Sequence, residues 1–257
     1  MLGRALGKLR DGLVSLAYPQ MCGVCGGPVE SWPDGVACRD CWEDPQKTCL
    51  LLTRPVCEKC GSPLDSFAVR RYAIGDGETV YCGSCDDAPY SAARSCGVYS
   101  GAIEASILFL KSRPHICGRL RSVIAETFAW NSRALAADLI IPVPLARARK
   151  KERGFNQATV IAKLLRSQTG IALDEGSLIR IKHTGRHRAG MDAIDRARSV
   201  SRAFRVARPG RVAGSSVLLV DDLFTTGSTV ESATTALLEA GADRVSVFTI
   251  ARVLRSI

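Results

Sequence analysis

No window of this chain approaches eighteen uncharged apolar residues, so the sequence excludes a membrane-spanning helix and predicts no membrane insertion. The opening MLGRALGKLRDGLVSLAYP lacks the unbroken apolar core of a secretory leader, because Arg4, Lys8, Arg10 and Asp11 interrupt it. Leu2, Leu6, Leu9, Leu13 and Leu16 fall at helical spacing instead, which predicts a short amphipathic helix packed on the body. The pattern G-x-x-x-x-G-K-[ST] is also missing, which excludes a P-loop. Aromatic residues are scarce at 6%, and the basic stretch 180–211 offers only Phe204 as a platform for base stacking.

What is present is ordinary in bulk and uneven in distribution. A chain of 257 residues with 46% hydrophobic and 23% charged side chains can bury a proper core in one large or two smaller domains. The net charge is +10, yet residues 1–97 hold 10 Lys/Arg against 12 Asp/Glu, while residues 98–257 hold 25 against 13. All the excess positive charge therefore lies in the C-terminal part, which points to a polyanionic ligand, either a phosphorylated small molecule or nucleic acid.

Eight of eleven cysteines form four C-x-x-C pairs before residue 86: Cys22 and Cys25, Cys38 and Cys41, Cys57 and Cys60, Cys82 and Cys85. Two intervening residues let both sulfurs reach one ion from a tight turn, and two such knuckles complete a tetrahedral site of four thiolates. A disulfide framework fits poorly without a leader, and a redox pair usually comes singly. The pattern predicts two structural Zn2+ ions, simplest as sequential pairs of knuckles, though spacing alone leaves a cross-braced pairing open. Residues 20–90 have few long apolar runs, so metal would supply stability of order 10 kcal/mol per site. Cys49, Cys96 and Cys117 stand outside the pairs and read as small buried hydrophobes.

From about residue 96 the pattern changes to strands alternating with helices, so the chain divides into a zinc-ribbon-like module at 1–95 and an α/β domain at 96–257. Helices are predicted over Leu120 to Leu135, Phe155 to Gln168 with Gly170 as its stop, and TVESATTALLEA with Gly241 beyond it. Strands are predicted at DLIIPVPL, LIRIKHT, VLLVDD and RVSVFTIAR, with ARARKKERG as a charged loop. A parallel sheet of this kind binds ligands at the carboxyl ends of its strands.

Residues 217–229, VLLVDDLFTTGST, carry the chemistry. Asp221 and Asp222 close a buried strand, where two adjacent carboxylates are costly unless something pairs with them. Thr225, Thr226, Gly227, Ser228 and Thr229 then lead into a helix N-terminus, where free amides and the helix dipole favour a phosphate. An ordinary strand–turn–helix would explain the threonines but not the paired acids. A sugar phosphate explains both, its phosphate in the loop and its vicinal diol on the acids.

This stretch resembles the ribose-phosphate signature of type I phosphoribosyltransferases, which use phosphoribosyl pyrophosphate (PRPP). A second stretch, IPVPLARARKKERGFNQA, resembles the signature of the ComF family of competence-related proteins, which join cysteine-knuckle zinc modules to such a domain in this order. The resemblance spans nearly the whole chain. It implies a type I phosphoribosyltransferase-like parallel sheet, PRPP with Mg2+ as ligand, and catalysis on Asp221 and Asp222. It assigns pyrophosphate to Arg153, Gly154, Asn156, Gln157, Arg149 and Lys111. It further implies a cytoplasmic protein linked to DNA uptake in natural transformation, with single-stranded DNA and DNA-uptake or helicase proteins as partners. The chain departs from the family pattern at Ala146, Arg188 and Ser199, where histidine, glutamine and asparagine are usual, and at Ser112 beside Lys111, where the family has tyrosine.

Two functions follow. As an enzyme, the protein would release pyrophosphate from PRPP to an amine acceptor by electrostatic stabilisation. As a binding protein, it would sense PRPP or carry single-stranded DNA on the basic stretches 147–153 and 180–211. His183 and His187, four apart among arginines, read as exposed loop residues rather than metal ligands.

Overall fold

A computed structural model describes residues 20–30, 35–52, 55–64, 69–74, 77–83, 85–181 and 203–254. The expected N-terminal leucine helix, both loop histidines and most of the basic stretch 180–211 lie outside these residues. In chain order the elements begin with helix α1 (Arg39–Glu43) and strands β1 (Val69–Ile74), β2 (Gly77–Cys82) and β3 (Ala92–Val98). Helices α2 (Gly101–Ser112) and α3 (Gly118–Trp130), strand β4 (Leu139–Pro142), and helices α4 (Arg147–Arg153) and α5 (Gln157–Thr169) follow. The chain then forms β5 (Ala172–Leu173), β6 (Leu178–Arg180), β7 (Phe204–Val206), β8 (Ser216–Phe224), α6 (Ser228–Glu239) and β9 (Arg244–Arg252).

Five strands pair in the order β3-β9-β8-β4-β5, every neighbour parallel. The apolar runs in β8 and β9 form its centre because helices cover both faces, so their side chains are buried whichever way they point. Ile140, Leu218, Val220, Phe248 and Ile250 face one core with α2, α3 and α5. Ile141, Val217, Leu219, Val245 and Val247 face the other with α6. Among the described residues no helix is long and apolar enough to cross a membrane.

Local chemistry sets the helix ends. The Asn156 side chain accepts a hydrogen bond from the Ala158 amide at 3.2 Å and so caps α5, which ends at Gly170 in the left-handed region. Helix α2 borrows its cap: the Ala102 amide donates to Thr48 Oγ1 at 2.9 Å, and that hydroxyl donates to the Cys41 carbonyl at 2.6 Å. Gly101 fits there because its φ is +53° and a Cβ would collide with the Lys47 carbonyl oxygen.

The cysteine-rich segment wraps the β3 edge of the sheet. Leu50 bridges Gly97 antiparallel, through Leu51 N–H to Cys96 O at 3.0 Å and Val98 N–H to Cys49 O at 2.8 Å. Cys22, Cys38, Cys41 and Trp42 join the core under α2 and α3, while Cys57, Cys60, Cys82 and Cys85 join the opposite core. The segment therefore has its hydrophobic residues inside both cores of the sheet. The expected division between 95 and 96 falls within β3, whose residues from Ala92 onward already pair with β9.

Several expectations change in detail. ARARKKERG holds helix α4 rather than a loop; none of its residues is buried, so no apolar periodicity marked it. The helix expected to Leu135 ends at Trp130, although Leu135 is buried. The described part of LIRIKHT, residues 178–181, supplies β6, which pairs antiparallel with β7 outside the main sheet. Strand β8 continues past both aspartates to Phe224, because β9 keeps pairing as far as Arg252. Cys96 and Cys117 are buried as expected, but Cys49 is half-exposed, held at the sheet edge by its backbone.

Candidate functional site

At the carboxyl ends of β4 and β8 lies a cleft of about 210 Å³. Strand β8 brings Asp221 and Asp222 to it, and the turn into α6 brings Thr225 and Thr229. Helix α4 contributes Arg149 and Arg153, the start of α5 Asn156 and Gln157, and the end of α2 Lys111. Residues scattered over more than a hundred positions thus converge on one cavity. Gly154, Thr226, Gly227 and Ser228 do not line it. Gly154 turns the chain out of α4 with φ +78°, and the other three lie in the turn between β8 and α6.

Each wall is fixed by its own bonds. Val143 N–H donates to Val220 O at 2.8 Å, and Asn156 Nδ2 donates to Val143 O at 2.9 Å, tying the Pro-Val-Pro segment to both β8 and α5. In the turn, Thr226 Oγ1 and Ser228 Oγ lie 3.0 Å apart, and Glu231 N–H donates to Gly227 O at 2.9 Å as the first bond of α6. The amides of the first turn of α6 have no intrahelical acceptor, and that of Ser228 donates to Thr226 Oγ1 at 3.4 Å. Gly227 has φ +89°, and a Cβ there would come within 2.8 Å of Glu231 Oε1 and 3.1 Å of Phe224 Cζ.

Asp222 N–H donates to Asp221 Oδ1 at 2.9 Å. Burial and then the Asp222 charge push the Asp221 carboxyl up to about 8, against the opposing pull of that amide bond and of Arg180. Gln157 is buried, and among the described residues its Nε2 donor has no partner in a site that opens to the cleft. An unpaired buried donor costs about 1–3 kcal/mol, so this amide suits an incoming acceptor oxygen.

Arg180 also lines the cleft, which sequence reasoning placed only within a basic stretch. Its Nε donates to Pro144 O at 3.2 Å and its guanidinium stacks 4.7 Å from the Phe204 ring centroid. Buried Asp174 secures this β6–β7 hairpin, accepting from the Gly176 and Ser177 amides, Ser177 Oγ and Arg208 Nη2 at 2.6–2.9 Å. No local sequence signal announces that a three-residue strand will fold back over the cleft.

The eight knuckle cysteines form two tetrads, Cys22–Cys25–Cys38–Cys41 and Cys57–Cys60–Cys82–Cys85, the sulfurs of each lying within 4.8 Å of one another. The pairing is sequential. Neighbouring sulfurs are 3.7 Å apart at Cys25 and Cys38, 3.6 Å at Cys57 and Cys85, and 3.4 Å at Cys60 and Cys82. With Zn–S near 2.3 Å, a regular tetrahedron has edges of about 3.8 Å, so both donor sets fit zinc. Amides support the sulfurs: Val24 and Cys38 N–H donate to Cys22 Sγ at 3.4 and 3.3 Å, and Cys60 and Cys82 N–H donate to Cys57 Sγ at 3.5 and 3.3 Å. At Cys22 burial works against ionisation, but the amides of Cys25, Cys38 and Val24 outweigh it and bring the thiol down to about 6.

Comparison with known proteins agrees with both halves. A "Double zinc ribbon domain" family model matches residues 13–86, and a "Phosphoribosyl transferase domain" family model matches residues 132–256. The chain is 28% identical to the DNA utilization protein YhgH of Salmonella typhi, over 93% of this chain and 100% of that one. It is 28% identical to the competence protein ComFC of Bacillus subtilis, over 86% of this chain and 85% of that protein. Identity to competence protein F of Haemophilus influenzae is also 28%, covering 90% and 96%.

Proposed function

We propose that the chain is a ComF-type protein, joining a double zinc ribbon to a phosphoribosyl transferase domain, whose cleft binds PRPP in a role linked to DNA uptake. The observation that carries this reading is the convergence of two acids, a helix N-terminus and a set of cationic and amide donors on one cavity. The 5-phosphate would sit on the Thr225–Thr229 turn, its oxygens taking the first amides of α6. Asp221 and Asp222 would accept the ribose hydroxyls, which gives the paired carboxylates their partner. Arg149, Arg153, Lys111 and Gln157 Nε2 would face the pyrophosphate, with Asn156 holding the wall. Mg2+ carried by the pyrophosphate would supply further charge neutralisation.

On this reading the protein is a phosphoribosyltransferase: its cations stabilise the pyrophosphate as it leaves, and the acids stay on the sugar as positive charge builds at C1. A loose displacement of this kind needs no separate general base. The eight thiols reserved for metal fit a cytoplasmic location, where thiols stay reduced. A thermal-shift titration with PRPP and Mg2+, followed by pyrophosphate assay against a panel of amine acceptors, tests the proposal. Ligand at 100 times its Kd should add about 2.7 kcal/mol of stability. Release of pyrophosphate with none of the acceptors would leave a PRPP sensor; no stabilisation would reject the reading.

A second reading, single-stranded DNA binding, has its own observation. At the opposite end of the sheet a broad groove of about 900 Å³ is rimmed by Trp130, Arg133 and Arg244. Trp130 is 77% exposed, unusual for so large an apolar ring outside a binding surface. A base could stack on it, worth about 1–3 kcal/mol, while the arginines meet phosphates. Trp130→Ala should then weaken binding to an oligothymidine about tenfold and leave PRPP binding intact. Affinity that does not fall with rising salt would rule this out.

A further inference from the structure

The second cysteine tetrad and the phosphate turn meet at one side chain. Arg252, the last residue of β9, is 5% exposed, and its Nη1 donates to the Cys60 carbonyl at 2.6 Å. Its guanidinium carbon lies 5.0 Å from the ring centroid of Phe224, the residue just before the Thr225–Thr229 turn. Phe224 is held edge-on by Tyr90, with ring centroids 6.2 Å apart, and stands against Gly227 inside the turn. A small cavity of about 80 Å³ lies between Cys60, Cys82 and Cys85 on one side and Thr225 and Thr226 on the other. Among the described residues Arg252 Nε is buried without a hydrogen-bond partner.

Shared backbone gives this contact a direction. The Cys57–Cys60 turn, whose Cys60 carbonyl receives Arg252, also supplies two ligands to the second tetrad. An ion held there would fix that turn, and with it the carbonyl that keeps Arg252 over Phe224. Without the ion the turn would lose that anchor. Phe224 and the turn rest on the position Arg252 takes.

We propose that Arg252 is a positioning residue that couples the metal state of the second tetrad to ligand affinity at the phosphate turn. The inference rests on the reading that this turn holds the phosphate of PRPP. Coupling of this kind is reciprocal: if zinc tightens PRPP, then PRPP must tighten zinc by the same factor. The first tetrad lies in the other core and is outside this coupling.

The experiment measures zinc affinity by equilibrium competition with a chromophoric chelator, on the full-length protein with and without saturating PRPP. In wild type, PRPP should raise the affinity of one of the two zinc ions about tenfold. Arg252→Met should keep both ions, bind PRPP about tenfold more weakly and lose the effect of PRPP on zinc; Arg252→Lys should fall between. Phe224→Leu leaves Arg252 and the tetrad in place, and it too should reduce the coupling. Wild type that binds PRPP with unchanged zinc affinity overturns the inference, as does undiminished coupling in Arg252→Met or Phe224→Leu. Wild type that does not bind PRPP at all overturns the underlying reading of the turn, a separate outcome.

Discussion

The main-chain amide of Asp222 donates to the carboxylate of Asp221 at 2.9 Å, and the two acids share one end of the cleft. Unfolded, Asp221 ionises near 3.8; folded, burial and its neighbour's charge raise it to about 8. Between those values the folded chain holds a proton that the unfolded chain has lost, so stability contributed by this group falls as pH rises. Asp221→Asn removes the titration. The variant should gain about 1–2 kcal/mol over wild type on going from pH 5 to pH 8, a conservative share of the shift for a half-buried group. Chemical denaturation at several pH values checks this; parallel stability curves would contradict it.

Zinc removal should affect more than the cysteine-rich segment. Each tetrad contributes cysteines to one of the two cores of the sheet, so among the described residues the module shares those cores. Chelation should lower the melting temperature of the whole chain in a single transition. Calorimetry showing an unshifted second transition for the α/β part would contradict the shared cores.

Thr48 links the first tetrad to α2 by accepting from Ala102 N–H and donating to Cys41 O. Thr48→Val keeps the shape and loses both bonds. It should cost about 1–2 kcal/mol, seen as a lower denaturation midpoint with an unchanged slope.

Gln157 separates binding from stability. Its Nε2 donor is buried and unpaired, so Gln157→Leu removes a cost of folding. Stability should stay level or rise while PRPP affinity drops about tenfold. A loss of stability with unchanged affinity would show that the amide serves the fold instead.

Much of this arrangement could be read from the residues because its signals are local. Strand β9 was legible to the residue, since a sheet covered on both faces leaves an apolar run bounded by charge at Arg244 and Arg252. The two-residue spacing marked the eight knuckle cysteines, but which knuckles share a tetrad is set by the fold, and the structure gives the sequential pairing. Helix α4 was not legible because its faces are all solvated, leaving no periodicity. Arg180 and Arg252 escaped notice for a different reason. Both act through partners far along the chain, Pro144 and Cys60, and no spacing within a segment encodes such a contact. The docking of the two tetrads on opposite faces of the sheet was hidden in the same way.

Isothermal titration of the zinc-loaded protein with Mg2+ and PRPP, alongside Asp222→Asn, is the most direct test of the cleft. One PRPP per chain should bind to wild type, free pyrophosphate should compete, and the variant should bind at least tenfold more weakly. No binding heat from wild type at several temperatures, or equal affinity in Asp222→Asn, would contradict a site in which these acids hold the ribose.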